Sequence, residues 1–134
     1  MAKILALDVG EKRIGLALSD ELEIIASPYK TIDFDNAASE LTKIITEERV
    51  GRMVIGLPYL ADGLLGSQAK PIQKFVEKLK KKISIPLEYE NEILTSKEAE
   101  GRLREYQKEI REKGEIDTMA ATIILESYLR RKKN

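Results

Sequence analysis

Three carboxylates, Asp8, Glu92 and Asp117, stand where hydrolytic chemistry could be carried out by oxygen ligands alone. Asp8 lies in "AKILALDVGEKRIGLALSD", inside a run of small and branched apolar residues that a glycine turn and a second apolar run follow. Burying a lone carboxylate costs several kcal/mol or drives its pKa upward. Asp8 therefore either caps its own turn, accepting N–H bonds from Gly10 and its neighbours, or shares its place with a cation. Glu92 follows a strand pattern, where an ordinary loop glutamate is equally at home. Asp117 precedes "TMAATIIL", where an acid commonly caps a helix or meets its dipole. Taken together they weigh differently, because a sheet could bring all three to one edge. Carboxylates gathered in that way repel and need positive charge between them. Two metal ions roughly 4 Å apart can activate water and steady the leaving oxygen of a phosphodiester, chemistry that needs neither His nor Cys.

The composition narrows the alternatives. The 134 residues contain no cysteine and no histidine. A disulfide framework, a thiolate nucleophile, Cys- or His-ligated zinc and the Ser-His-Asp arrangement are thereby excluded. The remaining donors favour hard cations, magnesium or manganese. Lys+Arg and Asp+Glu are both 23, so no whole-molecule field gathers nucleic acid, and any such contact must be a local patch. The length suits one domain, residues 1–134. The opening "MAKILALDVG" is too short in its apolar part and too charged for a secretion signal, and no stretch reads as a membrane span, so a cytoplasmic location without membrane contact is expected.

The elements that must position these residues follow from periodicity. Residues 3–9 and "IGLALS" predict two strands joined by "GEKR" as a hairpin, and "EIIASPYKTI" predicts a third, its Pro28 marking a bulge or an edge. Asp33 or Asp35 is expected to cap a helix whose buried side is Ala37, Ala38, Leu41, Ile44 and Ile45. "RMVIGLP" is an all-apolar strand, and a helix between strands implies a right-handed crossover to a parallel partner. "PYLADGLLGS" reads as a loop, and a helix with Ile72, Phe75, Val76 and Leu79 inward runs to Lys82. "ISIPLEYE" is the last strand. "TSKE", residues 95–98, predicts a capping box. Gly114 is expected to break the chain before a final helix over 117–130, with Ala120, Ala121, Ile124, Leu125 and Tyr128 buried. The outcome is an α/β fold: a five-stranded mixed sheet, an antiparallel three-strand meander plus two parallel strands, with helices on both faces. Sites in such sheets form at the C-terminal ends of the parallel strands.

Four blocks in this order carry a resemblance that runs essentially end to end. "LDVGEKRIGLALSD", "GLPYLADGLLGSQA", "NEILTSKEAE" and "IDTMAATIILESYL" resemble the successive motifs of the YqgF/RuvX family, Holliday-junction-resolvase-like proteins of RNase H-like fold that are also described as nucleases processing the 5′ end of pre-16S ribosomal RNA. The resemblance implies Asp8, Glu92 and Asp117 as catalytic, metal-binding carboxylates, with magnesium or manganese as cofactor. It implies Arg13, Ser19, Asp62 and Gly63 as substrate-binding positions, Arg13 as a phosphate contact, and the loop glycines as places where backbone can approach phosphate. The implied partner is nucleic acid, either pre-rRNA or branched DNA, and a monomer and a dimer are both open. The chain departs from the family at one place: Asn91-Glu92-Ile93 replaces Asp-Glu-Arg. Glu90 shares a strand face with Glu92, which makes it a candidate replacement ligand.

Two other classes compete. "LDVGEKRIGLAL" also resembles the Asp-x-Gly phosphate hairpin of sugar-kinase and actin-type ATPases. Those enzymes close two copies of the core over ATP, and this chain carries no repeat. A non-catalytic nucleic-acid or ribosome-assembly module is the third class, with Lys12, Arg13, Arg102, Arg104 and residues 130–133 as its basic surface.

Overall fold

The computed structural model describes residues 2–57, 69–91 and 113–133. They build one five-stranded sheet in the order β3-β2-β1-β4-β5. Its strands are β1 (Lys3–Val9), β2 (Arg13–Ser19), β3 (Ala26–Asp33), β4 (Val50–Leu57) and β5 (Leu87–Asn91). The meander β1–β2–β3 is antiparallel, whereas β1–β4 and β4–β5 are parallel. The expected mixed sheet is therefore present, and the C-terminal ends of β1, β4 and β5 share one edge.

Side-chain alternation divides the core into two layers. Leu5, Leu7, Ile14, Leu16, Met53 and Ile55 point to the face covered by α1 (Ala37–Glu48) and α2 (Ala69–Lys80), where they meet Leu41, Ile44, Ile72 and Val76. Ile4, Ala6, Ala17 and Val54 point the other way and pack against Ala121, Ile124, Leu125 and Tyr128 of α3 (Lys113–Lys133). The two faces differ in size. Ala6 and Ala17 are cross-strand partners on the α3 side, while Leu7 pairs with Leu16 on the other. Small side chains let one long helix lie close to the sheet. Large ones hold two shorter helices.

The hairpin turn closes through a bond from the Gly10 N–H to the Arg13 carbonyl at 2.9 Å. A Cβ on Gly10 would stand 2.8 Å from that same oxygen, which explains the glycine. Pro28 is both edge and bulge: β3 is an outer strand, and its register with β2 slips between Leu16 and Ala17, leaving Tyr29 as the extra residue.

Several expectations are corrected, and the last strand begins at Leu87 rather than with "ISI". No Asp side chain caps α1. A 3-10 turn at Phe34–Asn36 intervenes, and the cap residue, Asn36, makes no side-chain cap bond. Gly114 does not break the chain, because α3 begins at Lys113 and runs through it. Asp117 accordingly sits one turn inside α3 rather than at its start. The helix also runs on to Lys133, past the expected end at residue 130, and α2 stops at Lys80 rather than Lys82. The capping box at 95–98 and the loop at 58–67 lie outside the described residues.

The β2–β3 turn is held by one carboxylate. Asp20 Oδ1 accepts the N–H groups of Ile24 and Ile25, both at 2.8 Å, and the Asp20 carbonyl accepts the Glu23 N–H at 3.1 Å. Glu23 pays for this geometry with a left-handed φ of 58°. The amide of Ile25 foremost, then that of Ile24, hold the Asp20 carboxyl below its usual range. A depressed folded pKa stabilises the turn above the ordinary carboxylate pKa of about 3.9, and that contribution vanishes as pH falls through the folded value. Asp20→Ala is thus expected to melt below the wild type at neutral pH. The difference should close as thermal melts are carried to acidities below the ordinary carboxylate pKa. A difference that stays constant down to that acidity contradicts this assignment.

Candidate active site

Asp8 is the next-to-last residue of β1, and its partner across the hairpin is Gly15 of β2. Directly opposed residues share a sheet face, and that face is the one α3 covers. A Cβ on Gly15 would lie 2.2 Å from the Asp117 carbonyl oxygen, 2.3 Å from its carbonyl carbon and 2.8 Å from its Cβ. The backbone of α3 at Asp117 therefore rests directly on Gly15, in space that any other residue type would fill. Asp8 and Asp117 become neighbours in this way, one beside the glycine and the other above it.

Arg13 completes the arrangement. It occupies the same face two residues before Gly15, and its Nε donates to Asp117 Oδ2 at 3.3 Å. The Asp117 side chain keeps 19% of its surface exposed and that of Arg13 keeps 35%, so the pair is open to the edge of the sheet. Asp8 is half-buried. A partly sheltered carboxylate pair with a guanidinium drawn onto one member is a place that demands positive charge.

The remaining expected positions part company. Ser19 is at the opposite end of β2, 3% exposed, where its Oγ accepts the Ile4 N–H at 2.8 Å and its hydroxyl donates to the Asp20 carbonyl at 2.9 Å. It joins the starting end of β1 to the end of β2, far from Asp8. Glu92, Asp62 and Gly63 lie outside the described residues.

Glu90 does not serve as a spare ligand. It is 6% exposed, and both its oxygens are committed to α3. Ser127 Oγ donates to Oε2 at 2.8 Å, while Arg131 Nε and Nη2 reach Oε1 at 2.9 and 2.7 Å. The neighbouring Glu88 on the same strand face accepts from the Tyr128 hydroxyl at 2.8 Å and pairs with Arg52. Burial, the largest influence, pushes the Tyr128 phenol pKa upward, so the hydroxyl remains the donor at neutral pH. Helix α3 is thus fastened at one end to β5 through Glu90 while it presents Asp117 at the other. Neither the seat at Gly15 nor this clamp was identified from sequence. The traces were there: small residues at alternate positions in "IGLAL", and Ser127 and Arg131 four apart on one helix face.

Among the described residues no three acidic, His or Cys side chains gather into a metal cluster. Asp8 and Asp117 nevertheless supply hard oxygen donors on one face, and the guanidinium on Asp117 shows that the position accepts a cation. The donor set fits magnesium or manganese.

The fold is that of the RNase H-like resolvases. The structure superposes on Thermus thermophilus RuvC, solved in complex with a Holliday junction substrate, with a TM-score of 0.60 at 10% identity over 100% of this chain and 97% of that one. The fowlpox virus resolvase, solved with Holliday junction DNA, gives the same TM-score at 12% identity over 98% and 99% of the two chains. Within that fold the assignment is narrower. The model of the family "RuvX: Holliday junction resolvase" matches residues 2–131, and the chain belongs to that family. Among its relatives is a Crocosphaera subtropica protein named "Putative pre-16S rRNA nuclease", 45% identical over 129 residues that cover 93% of this chain and 90% of that protein. A Trichormus variabilis protein of the same name is 43% identical over 93% of this chain and 85% of its own length.

The seat of α3 provides a direct test. Gly15→Ala places a methyl group inside the Asp117 backbone, so α3 must lift from β2. Overpacking of this kind typically costs about 1–3 kcal/mol. Urea unfolding should show that loss, and an Ala17→Gly control, which leaves the contact at Asp117 untouched, should lower stability without disturbing the Arg13–Asp117 pair.

Proposed function

We propose that this protein is a magnesium- or manganese-dependent endonuclease acting on structured nucleic acid, and that its substrate is the 5′ region of pre-16S rRNA in the cytoplasm. The observation that carries this reading is the neighbouring of Asp8 and Asp117 across Gly15 at the edge where β1, β4 and β5 end. Family membership and relatives named as pre-16S rRNA nucleases support the RNA substrate.

In this reading Asp8 and Asp117 are catalytic residues and metal ligands, and Glu92, two positions beyond the clamped Glu90, is the third. These carboxylates would hold a divalent cation, whose chemistry there would be to acidify the attacking water and to offset charge on the phosphoryl oxygens. Asp8, fixed by the hairpin, and Asp117, fixed by α3 on Gly15, keep their oxygens in place without reorganisation, the condition for electrostatic stabilisation. Arg13 occupies Asp117 when no substrate is bound. Its partly exposed guanidinium is free to turn to a phosphate once Asp117 is otherwise neutralised, and it then positions the backbone rather than reading sequence.

A second reading, cleavage of branched DNA, is favoured by the likeness to two resolvases solved with Holliday junctions. One assay separates the two: a pre-16S rRNA leader and a four-way DNA junction, each incubated with and without magnesium. Cleavage of the leader alone is expected, lost on chelation and reduced by about 100-fold or more in Asp8→Asn and Asp117→Asn. Junction cleavage alone selects the second reading. An Asp8→Asn protein that cuts as well as wild type removes both. Arg13→Gln is expected to weaken RNA binding and to lower the slope of log affinity against log salt by roughly one phosphate contact.

A further inference from the structure

Lys+Arg and Asp+Glu are both 23, so a polyanion must meet this chain on a local patch. Helix α2 carries one, on the side of the sheet away from Asp8 and Asp117. Ala69, Ile72, Val76 and Leu79 are its buried face. Its opposite face is a row of exposed lysines, Lys70, Lys74 and Lys78, which Lys81 continues just past the helix end. Residues four apart lie one above another on a helix, here with a rise of about 6 Å per step. Among the described residues Lys70, Lys74 and Lys78 make no ion pair.

A helix face that is merely solvated tends to alternate in sign. Helix α1, on the same side of the sheet, does so with Glu40, Lys43 and Glu47. In α2 the pairs Lys70–Lys74 and Lys74–Lys78 repel instead, which weakens the helix. The one acid of α2, Glu77, does not relieve them. It pairs with Lys80 at 3.6 Å and lies towards Tyr89 of β5, whose phenol pKa is pushed upward by burial first and then by Glu77. On the other flank Phe75 meets Phe34, ring centroids 5.2 Å apart. Glu77 on one flank and exposed Asp35 beside Phe34 on the other border the row without interrupting it.

The row is tied to the hairpin that holds Arg13. Phe34, which touches Phe75, also donates its N–H to the Lys12 carbonyl at 2.9 Å. Helix α2 follows β4, which ends at the edge of Asp8, and precedes the parallel strand β5, which begins at the far end. It therefore runs away from that edge, with Lys70 near it and Lys78 about 12 Å further on. Compact ammonium groups on flexible stems, evenly stepped, suit a ligand held by repeated charge rather than by bidentate geometry. A phosphodiester backbone has that repeat, and contacts to it position a strand without reading its bases.

We propose that Lys70, Lys74 and Lys78 form a second nucleic-acid contact, gripping the phosphate backbone of the substrate where it leaves the edge held by Arg13. The identity of the polyanion rests on the nuclease reading. Fluorescence anisotropy in EDTA over a series of potassium chloride concentrations tests it, with the rRNA leader and the four-way junction as probes. For the probe that wild type binds, Lys70→Gln/Lys74→Gln/Lys78→Gln is expected to lose affinity about tenfold or more and to flatten log affinity against log salt by about two. Arg130→Gln/Lys132→Gln/Lys133→Gln makes the same change in net charge at the end of α3 and should leave that slope at the wild-type value. Glutamine nearly matches lysine in helix propensity, so both triples should keep the fold, as circular dichroism melts will check. Bound nucleic acid should also shield Lys70, Lys74 and Lys78, but not Lys43, from acetylation read by mass spectrometry. A wild-type slope in the α2 triple overturns the proposal. Equal losses in the two triples overturn it as well, because they report net charge alone. Binding that depends on the row in a wild type that cuts neither probe with magnesium sinks the nuclease reading and leaves the contact standing.

Discussion

The contact on which this structure depends is the absence of a side chain. Gly15 lets the backbone of α3 rest against β2, and the rest of that layer is dimensioned to match. Ala6 and Ala17 continue the shallow floor, Ile4 and Val54 flank it, and Tyr128 fills the space where the helix meets β4 and β5. Were Gly15 any larger, α3 would ride higher along its length and the alanines would be too small to meet it. The same contact sets the distance between two carboxylates that are remote in sequence. Core packing and site geometry are here a single constraint.

The sheet supplies the second coordinate. Asp8 reaches the edge because β1 is central, paired antiparallel with β2 and parallel with β4. The hairpin fixes its height and the crossover through α1 fixes which strand ends lie beside it. Helix α3 is then held at two places of different chemistry. At Asp117 the hold is steric, with a half-buried ion pair added. At Glu90 it is a buried carboxylate saturated by Ser127 and Arg131. Arg131 is 57% exposed, so the ion pair itself adds little stability, but any other arrangement of α3 would leave the buried carboxylate without its donors. That selectivity is the useful property where a helix must deliver one carboxylate to one spot.

Much of the fold is legible in the sequence because hydrophobic periodicity and topology rules are local or nearly so. The apolar runs around Leu5, Leu16 and Met53 announce central strands, and Pro28 announces the edge. Errors fall where local chemistry is overridden. Gly114 carries the conformational freedom of a helix breaker, but the burial of Ala120, Ala121 and Ile124 extends α3 through it. Asp33 and Asp35 have the right side chains for a cap, and the 3-10 turn removes them from the position. For the site, Asp8 and Asp117 were recognisable as candidates and their adjacency was expected from the sheet order. That Glu90 is tied to α3 could not be read, since its partners come from a helix whose crossing direction is decided by packing alone. Ser19 shows the complementary limit: a family motif puts Arg13 and Ser19 in one block, and a strand carries them to opposite ends of the molecule.

Strand β3 is one of the two outer strands of the sheet. A free strand offers a row of unpaired N–H and C=O groups, and a chain with equal positive and negative charge has no electrostatic barrier to stacking through it. Pro28 removes one donor from that row, the bulge at Tyr29 breaks its spacing, and Lys30 sets a charge beside both. Open-ended sheet growth is blocked at this edge by backbone geometry instead of by charge. The folded sheet thus does not offer β3 as a regular template to another strand.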